Sequence, residues 1–192
     1  MVECAGSAVK KGELPLTRSA AAEFCAGDEV LLSGVLYTAR DAAHRRFIEV
    51  LDAGAELPFP VEGATIYYTG PAPAPPGSII GSAGPTTSYR MDGTTPRLLA
   101  LGLCGMIGKG NRSPAVVDAI KRYGAVYFCA IGGAGALLAE CIVGCEAIAF
   151  PDLGTEAVRR LTVKEFPVIV AIDSRGNNLY ERTGFYSASP AV

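Results

Sequence analysis

A polar loop, GSAGPTTSYRMD, interrupts a chain in which 49% of the residues are hydrophobic. Two neighbouring hydroxyls stand at Thr86 and Thr87, and Arg90 follows them closely. Arginine binds a carboxylate through two parallel N–H donors, which lysine cannot do. This loop is therefore predicted to hold a small anion and to present a hydroxyl to it.

Two further cations stand where predicted strands or helices end. Arg40 follows the β-rich segment EVLLSGVLYTA, and Lys109 lies between glycines in GMIGKGNRSP, before a predicted helix. Glycine lets backbone N–H groups approach an anion, and a helix N-terminus adds positive potential. The stretch differs from a Walker loop, since Gly110 replaces the hydroxyl that would bind magnesium. If these loops converge with that of Arg90, they would bind a substrate with two carboxylates; a plain turn with an exposed lysine is the alternative.

The cysteines do not predict a metal site. Six are spread along the chain, and three of them, Cys129, Cys141 and Cys145, lie in apolar runs that favour free thiols over disulfides. Cys141 and Cys145 would share one face of a helix, but a zinc site needs three or four ligands. The single histidine, His44, is expected at the surface or at a helix cap. The remaining three cysteines are Cys4, Cys25 and Cys104.

Composition narrows the class of protein. Seventeen basic residues face nineteen acidic ones, without a block of like charge, which disfavours a nucleic-acid groove or a polybasic membrane patch. No signal-peptide pattern begins the chain, so a cytoplasmic location is expected. Only 19% of residues are charged, which suggests that another chain covers part of the surface. The length suits one domain over residues 1–192, with a loose tail at 183–192.

Strands alternate with helices along the sequence, and several strands are apolar throughout. This pattern predicts an α/β layered domain whose sheet is buried on both faces. Asp41 is expected to cap the first helix, and Gly124 to end a later one that begins at Ser113 and Pro114. The predicted strands are 29–39, 64–70, 78–84, 125–131, 145–150 and 167–173, and the predicted helical segments are 41–54, 96–105, 113–124, 132–144 and 151–166.

Seven stretches resemble the C-terminal domain of class I (iron–sulfur) fumarate hydratases, which is a separate β subunit in some organisms and in the related L-tartrate dehydratases. The resemblance covers roughly residues 29–182. The stretches are SGVLYTARDAAH, YYTGP, GSAGPTTSYRMD, GMIGKGNRS, GAVYFCAIGGAGALLAE, PDLGTEAV and FPVIVAIDSRGNNLYE.

This resemblance implies a swivelling β/β/α-type domain and a hydro-lyase that adds water to a dicarboxylate double bond, converting fumarate to malate. A [4Fe–4S] cluster would act as Lewis acid, and its ligands would come from the other domain or α subunit rather than from this chain. A hetero-oligomer with that subunit, with a β–β contact as a further expectation, would be the working enzyme. L-tartrate dehydration is an alternative, and a non-catalytic carboxylate-binding or assembly module is another.

Site roles follow from the same resemblance, motif by motif. Thr86 would be the catalytic base, and Arg90 and Arg40 would bind the substrate carboxylates. Lys109 would complete the pocket, with Asp41 orienting Arg40 and Thr87 supporting without a proton transfer. A threonine hydroxyl is a very weak acid, so this role requires cations nearby. Arg40, Arg90 and Lys109 would supply that positive field.

Overall fold

The structure is a computed structural model, and it describes residues 9–181. Within this range seven strands form one sheet: β1 (Lys10–Leu14), β2 (Glu29–Thr38), β3 (Thr65–Tyr67), β4 (Gly105–Gly108), β5 (Val126–Cys129), β6 (Ile142–Ala149) and β7 (Val158–Ile172). Their order across the sheet is β1-β2-β3-β4-β5-β7-β6, and β2 also pairs with β7. The sheet therefore closes into a ring of five strands, with β1 and β6 attached to the two longest ones. Strands β1 to β5 run parallel to their neighbours, whereas β7 is antiparallel to β2, β5 and β6.

The central parallel strands are buried on both faces, as their apolar sequences predict. Alternate side chains of β3 and β5 divide between two cores, because successive residues of a strand point to opposite faces. Tyr67 and Phe128 belong to one hydrophobic cluster, and Ile66 and Tyr127 belong to the other. The second cluster includes side chains of α2 (Asp41–Asp52), α3 (Thr95–Ala100) and α4 (Pro114–Tyr123). The α/β class predicted from the sequence is confirmed.

The helix boundaries partly follow the sequence signals. Helix α4 begins after Ser113 and ends at Gly124, whose φ of 67° is left-handed, as expected for a glycine at this position. Asp41 is not the N-cap of α2, because Arg40 occupies that position without a side-chain cap. Glu156 instead accepts the N–H of Ala42 at 3.1 Å. Two short helices, α1 (Arg18–Ala22) and α5 (Gly135–Glu140), complete the α-helices of residues 9–181.

Three further sequence predictions of local structure were wrong. Residues 78–84 form no strand, and the glycine-rich stretch before Lys109 forms β4 instead of a turn. Segment 151–166 is not an α-helix: a 3-10 turn over Pro151–Glu156 contains Gly154 at φ 60°, and β7 follows. Alternating buried and exposed residues in Val158–Ile172 suit a strand, and its charged residues had suggested a helix. Strand β1 and helix α1 were not predicted.

Two sequence predictions fall on residues beyond the described range. The tail at 183–192 and Cys4 lie outside the described residues. In residues 9–181, no helix has both the length and the apolar composition to cross a membrane.

Candidate active site

Four parallel strands end at one edge of the ring, and the candidate site lies there. Arg40 follows β2, Gly70 follows β3, Lys109 directly follows β4, and Gly132 follows β5. Because the neighbouring strands are parallel, their carboxyl ends meet at the same edge, which is where α/β sheets commonly bind ligands. The sequence prediction that Arg40 follows a strand and precedes a helix is confirmed, whereas Lys109 follows strand β4 instead of the predicted glycine turn.

The loop that carries Thr86 is bonded to the ends of two of these strands. The N–H of Thr86 donates to the Tyr68 carbonyl at 2.6 Å, just beyond β3. The N–H of Lys109 donates to the Thr86 carbonyl at 3.2 Å, and the N–H of Ser88 donates to the Lys109 carbonyl at 2.9 Å. Thr87 and Lys109 thus form a parallel bridge. The structure brings Thr86, Thr87 and Lys109 together.

The upstream part of the loop is fixed by buried side chains of β3 and its extension. The Tyr67 hydroxyl donates to the Ala83 carbonyl at 2.5 Å, and the Thr69 hydroxyl donates to the Gly84 carbonyl at 2.8 Å. Burial raises the pKa of Tyr67, so this hydroxyl keeps its proton and remains a donor. The polar loop of the sequence is therefore an ordered part of the sheet edge.

Two of the predicted cations are exposed beside this loop. Arg90 lies on the 3-10 helix Ser88–Met91, and Lys109 follows β4. A Cβ atom placed on Gly132 would lie 3.7 Å from the Lys109 Cδ and 3.8 Å from its Nζ, so the lysine side chain extends toward the end of β5. Within residues 9–181, no carboxylate pairs with either cation. Both charges are available to an anionic ligand.

The third cation, Arg40, already has carboxylate partners. Its Nη2 atom lies 3.4 Å from Glu156 and 3.7 Å from Asp41, and its Nε is buried without a hydrogen bond. The guanidinium lies against Gly70, where an added Cβ would come within 3.0 Å of Nη1. Asp41 thus stands beside Arg40, as predicted, whereas no sequence signal indicated Glu156 as a partner. Contacts among residues 9–181 do not join Arg40 directly to Thr86 or Arg90.

His44 is buried, so the expectation of a surface or capping position was wrong. Its Nδ1 lies 2.9 Å from the Arg40 carbonyl, one turn earlier in the chain. Burial lowers the pKa of His44 to about 4, and the positive charge of Arg112 acts in the same direction. Hydrogen bonding to Arg40 and the charge of Asp41 oppose this shift only in part. The ring is therefore neutral near pH 7 and supports the helix turn that follows Arg40.

The described cysteines do not fit a cluster site. Cys25, Cys104, Cys129, Cys141 and Cys145 are all free. Cys141 ends α5 and Cys145 lies in β6, so the pair does not share a helix as the spacing had suggested. Burial raises the pKa of Cys104 to about 11, which disfavours the thiolate that a metal would require. No three Cys, His, Asp or Glu residues gather into a metal-ligating group in the described part of the chain.

Comparison with known proteins identifies the family. Residues 6–183 match the family described as Fumarase C-terminus, and the chain belongs to that family. It is 39% identical over 175 residues to "Fumarate hydratase 2" of Leishmania major, covering 90% of this chain and 31% of that protein. It is 41% identical over 153 residues to "Fumarate hydratase class I, anaerobic" of Escherichia coli K12, covering 79% of this chain and 28% of that protein.

One further relative has a length similar to that of this chain. A Methanocaldococcus jannaschii protein named "Putative L(+)-tartrate dehydratase subunit beta" is 39% identical over 172 residues, covering 86% of this chain and 88% of that protein. The chain thus spans about a third of the fumarate hydratases named above and most of the subunit beta.

Proposed function

We propose that this chain is the β component of a hydro-lyase that reversibly adds water to a dicarboxylate double bond, interconverting fumarate and malate. The observation that carries the proposal is the bridge between Thr87 and Lys109. It joins a hydroxyl-bearing loop to a cation at the carboxyl edge of the sheet, and Arg90 adds a second cation with no carboxylate partner in residues 9–181. Membership of the Fumarase C-terminus family supports the same reaction class.

In this proposal each residue has a distinct task. Thr86 acts as the base that takes a proton from the substrate carbon during dehydration, and returns it during hydration. Arg90 and Lys109 bind the carboxylates, and their charges favour the deprotonated form of the nearby hydroxyl. Arg40 binds the second carboxylate, which requires substrate to compete with Glu156 for the guanidinium. Thr87 supports the loop and transfers no proton.

We assign the [4Fe–4S] cluster of this enzyme class to a partner α subunit or to another domain. The described cysteines are dispersed and form no group that could hold a cluster, so the donors of this part of the chain do not fit one. The name "subunit beta" of the Methanocaldococcus jannaschii relative is consistent with such a partner. The working form would be a hetero-oligomer with a dicarboxylate site between its components, including a β–β contact, in the cytoplasm.

The assignment of this domain to the swivelling β/β/α type, which the family resemblance implies, also stays a prediction.

Tartrate is the second candidate substrate. It is favoured by the relative named as an L(+)-tartrate dehydratase subunit beta, which this chain matches over most of that protein's length. L-malate and L-tartrate share two carboxylates and a 2-hydroxyl group, so the cations of this edge suit both. A non-catalytic carboxylate-binding or assembly module is the alternative of another class. It is favoured by the pairing of Arg40 with two carboxylates of this chain, which gives that arginine a structural role without substrate.

The test is to co-express the chain with its α partner, load the cluster anaerobically, and assay fumarate, L-malate and L-tartrate. Turnover of at least one substrate is expected, and Lys109→Gln should raise its KM. Lys164→Gln is the matched control, because Lys164 is exposed on β7. A cluster-loaded complex that binds these dicarboxylates without turnover would support the non-catalytic module and contradict the proposal.

A further inference from the structure

A buried arginine, Arg112, lies just beyond Lys109 and has no part in the roles assigned above. Its side chain is 0% exposed, and its Nε donates to Asp92 Oδ1 at 2.7 Å. Its Nη2 donates to Thr95 Oγ1 at 2.8 Å, while the Thr95 hydroxyl donates to the Met91 carbonyl. A buried guanidinium is tolerated only when it is paired and hydrogen-bonded. Arg112 is therefore held rigidly by this set of partners.

These partners fix the far end of the segment that carries Arg90. Asp92 directly follows the 3-10 helix Ser88–Met91, and its second oxygen accepts the Ser113 N–H at 2.6 Å. One carboxylate thus binds both the Arg112 side chain and the N-cap residue of α4. The end of the Arg90 segment is consequently tied to the segment that follows Lys109.

A second buried link lies closer to Thr86 and involves Tyr127 of β5. The Tyr127 hydroxyl donates to the Gly110 carbonyl at 2.7 Å, and lies 2.9 Å from Ser88 Oγ. Since its one proton goes to Gly110, the phenol oxygen accepts the proton of Ser88. Burial raises the pKa of Tyr127, so the hydroxyl keeps its proton. The Arg112 guanidinium lies 5.0 Å from the centre of the same ring.

Both links therefore join the segment that carries Thr86 and Arg90 to the segment that follows Lys109. Ser88 comes two positions after Thr86, and Gly110 comes one position after Lys109. The backbone bridge between Thr87 and Lys109 sets the register of the segments. The Tyr127 hydroxyl and the Arg112 fork repeat this connection through buried side chains.

We infer that Arg112 and Tyr127 are positioning residues that hold the hydroxyl of Thr86 in fixed relation to Lys109 and Arg90. The inference rests on the proposed hydro-lyase function for its effect on turnover. Both side chains are fully buried, so we place neither in contact with substrate. They act through Ser88, Gly110 and Asp92, and a displacement of about 1 Å in a reacting group is enough to lower a rate roughly 100-fold.

Tyr127→Phe is the sharpest variant, because it removes one hydroxyl and keeps the ring. In the cluster-loaded complex, kcat for L-malate dehydration should fall about 10- to 100-fold per folded, loaded enzyme, with a smaller change in KM. Arg112→Lys keeps the charge and loses the fork, and it should lower kcat in the same way. Hydrogen–deuterium exchange on the full chain should become faster in peptides covering 84–92 and 108–113, with peptides of 168–172 unchanged.

The matched controls are Tyr37→Phe and Arg122→Lys. Tyr37 stacks on Phe59 and makes no hydroxyl hydrogen bond within residues 9–181, and Arg122 is exposed on α4. Both should keep wild-type kcat and wild-type exchange. If Tyr127→Phe fails to fold, Ser88→Ala tests the same link from the other side.

Two results would overturn the inference. One is wild-type kcat and wild-type exchange in both Tyr127→Phe and Arg112→Lys. The other is a loss of activity fully explained by a smaller folded fraction, with normal kcat in the molecules that remain folded. If the wild-type complex turns over none of the three dicarboxylates, the proposed function fails. Exchange in residues 84–92 then decides the positioning role by itself, with faster exchange supporting it and unchanged exchange ending it.

Discussion

Lys109 is hydrogen-bonded through both its backbone N–H and its backbone C=O to the loop that carries Thr86. The N–H reaches the Thr86 carbonyl at 3.2 Å, and the carbonyl accepts the Ser88 N–H at 2.9 Å. A cation and a hydroxyl residue are thus placed side by side by main-chain bonds, which leaves both side chains free to meet a ligand. This arrangement is the basis of the proposed chemistry.

Arg90→Lys should weaken substrate binding more than it slows the chemical step. Lysine keeps the positive charge but loses the two-pronged contact with a carboxylate. The loss of one charged hydrogen bond is worth ~1.5–3 kcal/mol, so KM for L-malate should rise by about 10- to 100-fold. Steady-state kinetics of the cluster-loaded complex measures this.

Arg97→Lys is the control for that variant, because Arg97 pairs with Asp52 on the surface at 2.5 Å and has no role at the site. Equal KM values for Arg90→Lys and wild type would show that Arg90 does not bind the substrate carboxylate.

Glu156→Ala should destabilise the chain by about 1–2 kcal/mol, because the carboxylate caps α2 through the Ala42 N–H and pairs with Arg40. Urea unfolding at pH 7 measures the difference. Glu49→Ala is the control: its ion pair with Arg46 is exposed and spans 3.8 Å, so its loss should cost at most about 0.5 kcal/mol. Equal stabilities of the two variants would contradict the capping role.

Much of the central architecture could be predicted from the sequence. The apolar runs around Ile66 and Phe128 indicated strands buried on both faces, and that is their position in the ring. Ser113, Pro114 and Gly124 marked the limits of α4 correctly, because these residue types have strong local preferences at helix ends. Local chemistry therefore sufficed where the conformation depends on neighbouring residues.

The remaining features depend on partners that are distant in sequence. Glu156 caps a helix across 114 positions, and nothing near it in the sequence indicates this partner. Strand β4 was missed because Gly105 and Gly108 resemble a turn, whereas the close approach of Thr65 and Ser88 is what requires glycine there. The charged residues of β7 suggested a helix, since the pairing with β2 that makes it a strand is invisible locally. Arg112 and its buried network were also missed, because the partners of this arginine are distant in sequence.

The stability of the chain should fall as the pH decreases from 7 to 5, through its single histidine. The pKa of His44 is about 4 in the folded chain and about 6.5 when unfolded. Below 6.5 the unfolded chain therefore binds a proton that the folded chain excludes, which favours unfolding down to about pH 4. At pH 5 the loss should be about 2 kcal/mol.

Urea unfolding of wild type and His44→Gln at pH 7 and pH 5 isolates this contribution. The variant should be less stable at pH 7 and should lose less stability between the two pH values. An identical pH dependence in both proteins would mean that His44 titrates normally in the folded chain.

The central claim is that the Thr86 hydroxyl transfers the proton, and the matched pair Thr86→Ala and Thr87→Ala tests it most directly. Both hydroxyls lie in the same loop, and Thr87 pairs with Lys109 through its backbone only. With cluster content verified in each complex, kcat for L-malate dehydration should fall by at least ~10²-fold in Thr86→Ala, with KM little changed. Thr87→Ala should retain turnover near that of wild type. Wild-type kcat in Thr86→Ala would contradict the claim: a loss in Thr87→Ala alone would assign the base to Thr87, and full activity in both would assign it to the partner.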